Sequence, residues 1–347
     1  MTSATTEGNC TEESTECREI HEDNSSIIRT PEKSYHVTMQ IVSISWVSNE
    51  ADVIETFVRH HCAFLDRMII VDRRSRDNTR EILKQLQKEG LSLDVRYSDS
   101  VVHLQGEALT ALLAELRIEA PDLVLPLDAD EFLWKSGAED IRSVLGSLPK
   151  DKASLVPWHT YIPMPEDDAS EINVLQRIRS RKTVELPQWH KVIIPKALLQ
   201  KNPKLEIGSH ALIDGESGRN AEHSISNALF LGHFPVRTAS QLAGKVFSGW
   251  LSHSANPKRV PGTAFQWKTL FDELKSGKEI DAESLKKLAL DYGTRTQSEV
   301  SDGVTLDPLP ANFDLKYEAK RLPPLQILAE SAEILAEKVA ELTPPQT

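Results

Sequence analysis

The sequence predicts an α/β protein whose core is a mostly parallel sheet flanked by helices. Three observations point there. From residue 36 onward, apolar stretches of strand length alternate with amphipathic stretches of helix length. Those helices keep their apolar residues on one face. The polar clusters SNE, DRRSRD and DADE each follow the end of a strand-like stretch. Parallel sheets bind their ligands at the carboxyl ends of the strands, so the three clusters mark the expected functional edge.

In chain order, VTMQIVSISWV reads as the first strand, and the helix after it places Val53, Ile54, Phe57, Val58 and Leu65 on one face. RMIIVD is the second strand, and its helix closes at Gly90. LDVRYS is the third strand, followed by a helix with Leu109, Leu112, Leu113 and Leu116 aligned. LVLPLD is the fourth. Beyond Trp134 the alternation changes: SLVPWHTYI, HKVIIP, LEIGSHALI and ALFLGHF are strand-like with few helices between, as in a mixed sheet. From about Pro261 the chain turns helical, ending in a stripe of Ile327, Leu328, Ile334, Leu335, Val339 and Leu342. The expected organisation is a disordered tail over 1–35, a domain over 36–255 with halves 36–134 and 135–255, and a helical extension over 256–347.

Composition narrows the classes. A formal charge of -12 argues against broad attachment to nucleic acid, while leaving room for a local basic pocket. Of the cysteines, Cys10 and Cys17 fall in the polar leader and Cys62 in a helix, so no disulfide framework is indicated. No apolar run approaches the roughly 20 residues of a membrane span. The leader is acidic and polar, unlike a signal peptide. A cytoplasmic location is expected, with peripheral attachment at the inner membrane face left open.

The chemistry concentrates in LVLPLDADEFLW. Asp128 and Asp130 are two apart at a strand end, which would put both side chains on one side with Ala129 pointing away. Carboxylates so close repel unless a cation lies beside them, and oxygen ligands of this kind suit Mg²⁺ or Mn²⁺. The competing reading has Asp130 or Glu131 capping the next turn, with Asp128 taking backbone hydrogen bonds. Asp77 is read as a helix cap rather than a ligand, and at least one of His60 and His61 as structural. Arg73 and Arg74 could meet phosphate or pair with acids such as Asp77.

These segments resemble a known family. Asn49-Glu50, His60-His61, Asp72, Ser75, Asp77 and Thr79, then Leu127 through Phe132, are similar to the opening of family-two nucleotide-sugar glycosyltransferases of the GT-A fold. LGHFPVRTASQLAGKVFSG looks like a downstream motif of one subgroup. The resemblance implies a GT-A, Rossmann-like sheet with a mixed-sheet acceptor half and C-terminal helices. It also implies roles. Asn49, Glu50 and Asp72 would line the donor nucleotide pocket together with Asp128, Arg237 and Lys245. Asp128, Asp130 and His233 would hold Mn²⁺ or Mg²⁺ on the donor's two phosphates.

The function so implied is metal-dependent, inverting transfer of a sugar from a nucleoside-diphosphate sugar to a hydroxyl of a glycan or glycoconjugate. Surface-polysaccharide assembly is the expected setting. The acceptor needs a general base. Glu166, Asp167, Asp168, Glu185, Asp214 and Glu216 are the second half's acids, and His210 and Asp214 sit where the resemblance suggests acceptor machinery. Trp158, His159, Tyr161, Trp189 and His190 could stack on sugars or fill the core. Two alternatives stand beside this reading. A nucleotidyltransferase of related fold would usually carry a glycine in its first loop, and SWVSNEADV has none. A glycosyltransferase-like protein could instead bind a glycan or partner without catalysis.

Overall fold

The structure, a computed structural model, describes residues 39–256, 259, 265–294, 303–311 and 313–342, with backbone alone at 265, 266 and 342. The tail expected over 1–35, with Cys10 and Cys17, lies outside the described residues. The alternation read from the sequence is present as β1 (Ile41–Val47), α1 (Ile54–His61), β2 (Arg67–Arg73), α2 (Thr79–Lys88), β3 (Leu93–Ser98), α3 (Gln105–Glu119) and β4 (Leu123–Pro126). β1 pairs in parallel with β2 and β4, and β2 with β3, giving the order β4-β1-β2-β3. The chain winds outward from β1 to β3 and then returns to the other side of β1. That reversal opens a crevice between the carboxyl ends of β1 and β4, where open α/β sheets bind ligands.

Burial explains why these segments hold. Ile41, Val42 and Ile44 of β1 and Met68, Ile69 and Ile70 of β2 have almost no exposure, as expected of strands covered on both faces. One layer packs Phe57, Val58, Ile82, Leu83 and Leu86 on the sheet, and the other packs Leu109, Leu112, Leu113 and Leu116. The α1 and α3 residues are the faces the spacing predicted; Ile82, Leu83 and Leu86 add the buried face of α2.

The second half extends the sheet antiparallel: β5 (Glu131–Lys135), α4 (Ile141–Ser147), β6 (Ala153–Ile162), α5 (Val174–Arg177), β7 (Ser180–Lys182), β8 (His190–Pro195) and α6 (Lys196–Leu199). β8 bridges β4 and β6, so the two halves share one sheet. Short strands follow, β9 (Lys204–Leu205), β10 (Leu212–Ile213), β11 (His223–Ile225) and β12 (Leu229–His233). β12 lies between β5 and β6, which brings His233 beside Glu131. The chain then runs through α7 (Ala239–Ser254), α8 (Phe265–Lys275), α9 (Ala282–Asp291), β13 (Val304–Leu306) and α10 (Pro324–Leu342). Of the predicted α10 stripe, Ile327 is buried and Leu328, Ile334 and Leu335 are partly so, while Val339 is 62% exposed. The side chain of Leu342 lies outside the described residues. No helix among the described residues is long and apolar enough to cross a membrane.

Both histidines of α1 are structural. His61 Nδ1 donates to the Phe57 carbonyl at 2.8 Å, which leaves Nε2 to accept from the Leu133 amide at 3.3 Å. His60 Nε2 donates to the Leu133 carbonyl at 2.9 Å. Adjacent imidazoles thus clamp both polar groups of one residue in β5, immediately after the acidic turn. Burial pushes His60 from an ordinary 6.5 down to about 4, with its Leu133 bond opposing the shift. Burial likewise lowers His61.

Between those values the unfolded chain holds protons that the folded chain refuses, so this stability is whole above pH 6.5 and lost as pH falls toward 4. A buried histidine of this kind contributes about 1.4 kcal/mol per pH unit within its window. Urea unfolding at about pH 7.5 and about pH 5 should therefore show a smaller acid loss for His60→Gln than for the wild type. Equal losses would remove His60 from the pH response.

Candidate active site

A cavity of about 320 Å³ opens at the crevice between β1 and β4. Its wall takes Asn49, Glu50 and Asp52 from the loop after β1, Asp128 and Asp130 from the turn after β4, His210, His233, and Lys245 of α7. The structure thus brings together most of the residues the sequence singled out.

The loop after β1 is held by the loop after β2. Asn49 takes a left-handed φ of 58°, which Asn tolerates better than most residues. Its side-chain oxygen accepts from the Arg76 amide at 2.8 Å, and its own amide donates to Ser75 Oγ at 2.8 Å. Asp77 accepts from the amides of Ala51 and Thr79, each at 3.0 Å, and so stitches the two loops; the N-cap of α2 is Asn78, one residue after the Asp77 expected there. Asp72 is fully buried, accepting from the Ser75 amide at 3.1 Å and Arg80 Nε at 2.8 Å. It is not among the residues lining the cavity. Its expected donor contact is corrected to a structural one, because both carboxylate oxygens are committed. Arg73 and Arg74 bond neutral groups rather than Asp77. Arg73 lines the cavity and donates to Ser252 Oγ at 2.8 Å, while Arg74 donates to the Asp99 carbonyl at 3.1 Å.

The acidic pair reaches the cavity by a different geometry from strand alternation. β4 ends at Pro126, and Asp128 to Glu131 form a turn closed by the Glu131 amide on the Asp128 carbonyl at 3.0 Å. Ala129 lines the cavity as well. Asp128 accepts from Gln105 Nε2 at 2.7 Å and from Lys191 Nζ at 2.5 Å. Asp130 accepts from Lys245 Nζ at 2.9 Å and lies 3.6 Å from Arg237 Nη1 and 3.8 Å from His233 Nε2. Burial works against its charge, yet Lys245, His233 and Arg237 hold it below the usual carboxylate range. Glu131 has no exposure. It accepts from the Asp128 amide and from Trp158 Nε1, each at 2.9 Å, with Lys191 Nζ 3.0 Å away. Burial pushes Glu131 up to about 8, with Lys191 pulling the other way.

Arg237 was expected at the donor nucleotide, but its side chain has no exposure. It donates to both Asp52 oxygens at 2.7 and 3.0 Å, to Glu50 at 2.5 Å and to the Phe234 carbonyl at 3.1 Å. The guanidinium fork that could grip a phosphate is spent on the protein itself. Asp52 is further paired with Arg321 at 3.1 Å. Burial raises Glu50 to about 7 against the pull of Arg237 and Lys245.

Of the expected bases, Asp214 lies outside the cavity. Its carboxylate accepts from the Ser217 and Glu216 amides at 2.7 and 3.1 Å, closing its own exposed turn. None of Glu166, Asp167, Asp168, Glu185 or Glu216 lines the cavity either. His210 does. Its Nδ1 donates to the His190 carbonyl at 2.8 Å, so Nε2 is the bare nitrogen of a neutral ring. Burial lowers its affinity for protons, although the His190 carbonyl and Asp128 oppose the shift. The ring is fixed between Trp158 and Trp189, at 5.1 and 4.7 Å. Gly208, with φ of 75°, backs onto it, and a Cβ there would fall 2.6 Å from Nε2. Of the other aromatics, Tyr161 stacks on Phe234 in the core and His159 on Phe230 away from the cavity.

The expected metal ligands fit a divalent cation as an incomplete set. Asp128 and Asp130 offer oxygens on the cavity wall, and His233 is buried with Nδ1 lacking any partner. Burial lowers His233 to about 3, so its ring is neutral and can act as a ligand. Among the described residues, however, no three His, Cys, Asp or Glu side chains converge on one cation position. The acids face lysines instead.

Residues 45–195 match the family described as Glycosyl transferase family 2. The resemblance read from the sequence is borne out over this segment, and the α/β, mostly parallel sheet is the architecture it implied. No curated protein matches the chain. Similar solved structures include a mannosyltransferase from Pyrobaculum calidifontis in complex with GDP-Man and Mn²⁺, at 14% identity, covering 87% of this chain and 75% of that one, with a TM-score of 0.34. Another is glucosyl-3-phosphoglycerate synthase from Mycobacterium tuberculosis with Mg²⁺ and uridine-diphosphate, at 17% identity, covering 35% and 44%, with a TM-score of 0.25. A third is a glucose-1-phosphate thymidylyltransferase, described as putative, from Bacillus anthracis, at 12% identity, covering 63% and 96%, with a TM-score of 0.32. At these similarities none bears on the chemistry of this chain.

Sequence reasoning missed several residues that build the site. Lys191, buried behind the acidic turn rather than on the wall, lies in HKVIIP and reads as one more strand position. Gln105, Trp267, Tyr292 and Arg321 come from helix starts and loops whose place at the cavity only tertiary folding reveals.

Arg237→Met takes the guanidinium from both Asp52 and Glu50, leaving Asp52 only Arg321. It should lower unfolding free energy by about 3–5 kcal/mol, measured by chemical denaturation at neutral pH. A loss of the size seen for exposed pairs, below about 1 kcal/mol, would remove Arg237 as the organiser of the site.

Proposed function

We propose that this chain is a glycosyltransferase that moves a sugar from a nucleoside-diphosphate sugar to a hydroxyl of a glycan or glycoconjugate acceptor. The observation that carries the reading is the cavity itself. At the reversal of strand order, it joins an acidic turn to a neutral histidine with a bare nitrogen. The family 2 match over residues 45–195 supports the same reading.

In this reading the nucleotide lies along the ends of β1 and β2, near Asn49 and Arg73. Its diphosphate points toward the turn at Asp128–Asp130. Asp128, Asp130 and His233 would hold Mn²⁺ or Mg²⁺, which would supply positive charge where the leaving diphosphate gains negative charge. Every other step falls to the chain. Lys245 offers a cation on the wall, and Arg73 another that bonds only neutral groups. His210 Nε2 takes the acceptor proton as the acceptor oxygen bonds to the anomeric carbon. The carbon–oxygen bond to the diphosphate breaks in the same displacement, which inverts the anomeric centre. The indole of Trp158 fixes the position of His210, and Trp267 offers the wall an apolar face for a sugar ring.

His210 rather than Asp214 is the base in this scheme, because only His210 reaches the cavity. His210→Gln should lower transfer by about 100- to 10,000-fold while nucleoside-diphosphate binding stays unchanged. Asp214→Asn should transfer at the wild-type rate. The assay is release of nucleoside diphosphate from a panel of nucleotide sugars with mixed glycan acceptors. Retained activity in His210→Gln together with loss in Asp214→Asn would reverse the assignment.

A further inference from the structure

Each acid of the turn is held by a lysine, and the two lysines are unlike. Lys191 extends from β8 with 2% of its side chain exposed and touches both Asp128 and Glu131. Its removal would strand the fully buried Glu131 and leave the half-buried Asp128 with Gln105 alone, so its place is fixed. Lys245 is 26% exposed, stands on the cavity wall, and donates to one oxygen of Asp130 at 2.9 Å. Its four-carbon stem leaves the ammonium free to swing while α7 stays docked.

We propose that Lys245 is an exchangeable counterion. It occupies Asp130 in the free protein, and it passes to the donor's diphosphate when a divalent cation takes Asp130. This inference rests on the glycosyl-transfer reading above and adds the residue that couples cation to donor. A divalent cation arriving alone finds too few ligands, since no three suitable side chains converge among the described residues. It must also evict Lys245, leaving a partly buried ammonium without a partner. A diphosphate arriving alone meets a Lys245 already committed to Asp130. When both arrive, phosphate oxygens complete the cation's coordination and give Lys245 a new anion. The chain therefore binds cation and diphosphate together far better than either alone. Linkage requires that each ligand tighten the other by the same factor.

The test is Mn²⁺ binding to the full chain, by calorimetry, alone and with saturating nucleoside diphosphate chosen from ADP, CDP, GDP and UDP. For the wild type, Mn²⁺ should bind at least tenfold more tightly with the diphosphate present, and the diphosphate should gain equally from Mn²⁺. Lys245→Met should bind Mn²⁺ alone at least tenfold more tightly than the wild type, and the mutual gain should shrink to less than threefold. Lys245→Gln serves the same purpose should the Met variant unfold on a thermal melt. Unchanged or weaker Mn²⁺ binding by both variants, while the wild type binds a diphosphate, overturns the exchange and leaves the glycosyl-transfer reading standing. Failure of every nucleoside diphosphate to bind the wild type, with or without Mn²⁺, overturns both.

Discussion

A guanidinium sealed from water organises this site. Arg237 follows β12, and its fork closes on Asp52 and Glu50 of the loop after β1 while it also approaches Asp130 in the turn after β4. Three chain segments remote in sequence are thereby fixed around one planar cation. A charge placed so deeply is tolerated only if its donors are answered in the right geometry. Here the Phe234 carbonyl answers a further one. That demand sets where the loop after β1 can run, and so the near wall of the cavity.

The far wall obeys the same rule with different partners. Lys191 spans Asp128 and Glu131, and Glu131 in turn receives Trp158 Nε1 and the Asp128 amide. Trp158 stands between His233 and His210, with ring centroids 4.0 and 5.1 Å away. A single buried carboxylate therefore links the acidic turn, through Trp158, to the His210 imidazole. Charge balance and aromatic packing set the same geometry, which is how a polar cavity stays rigid in a low-dielectric setting.

Legibility in the sequence followed the range of the interactions. The parallel half was readable because each strand and helix is specified by its own periodicity, and the apolar faces predicted for α1 and α3 are the buried ones. The acidic turn was readable because its position after β4 coincides with the reversal of strand order. His233 and Lys245 were readable through a motif, and both stand on the cavity wall. Asp72 was misplaced because a strand-end acid looks the same whether it faces a ligand or its own turn, and Arg80 decides that from one helix away. Arg237 was placed correctly but given the wrong task, since sequence does not report whether a guanidinium is sealed. Lys191 was invisible: a lysine within an apolar strand carries no local sign that it answers acids in another half of the sheet.

The two histidines of α1 show how the strand behind the acidic turn is held. Leu133 lies two residues after Glu131, in a strand that pairs with β12 on one side. His60 and His61 hold its backbone from the other side, through both its amide and its carbonyl. With Phe132 fully buried among aromatic rings between them, the strand behind the turn has no slack along its length. The turn can therefore present carboxylates to an incoming charge without being pulled out of register. Motion is left to Lys245, whose long stem reaches the wall from α7 and meets one oxygen of Asp130.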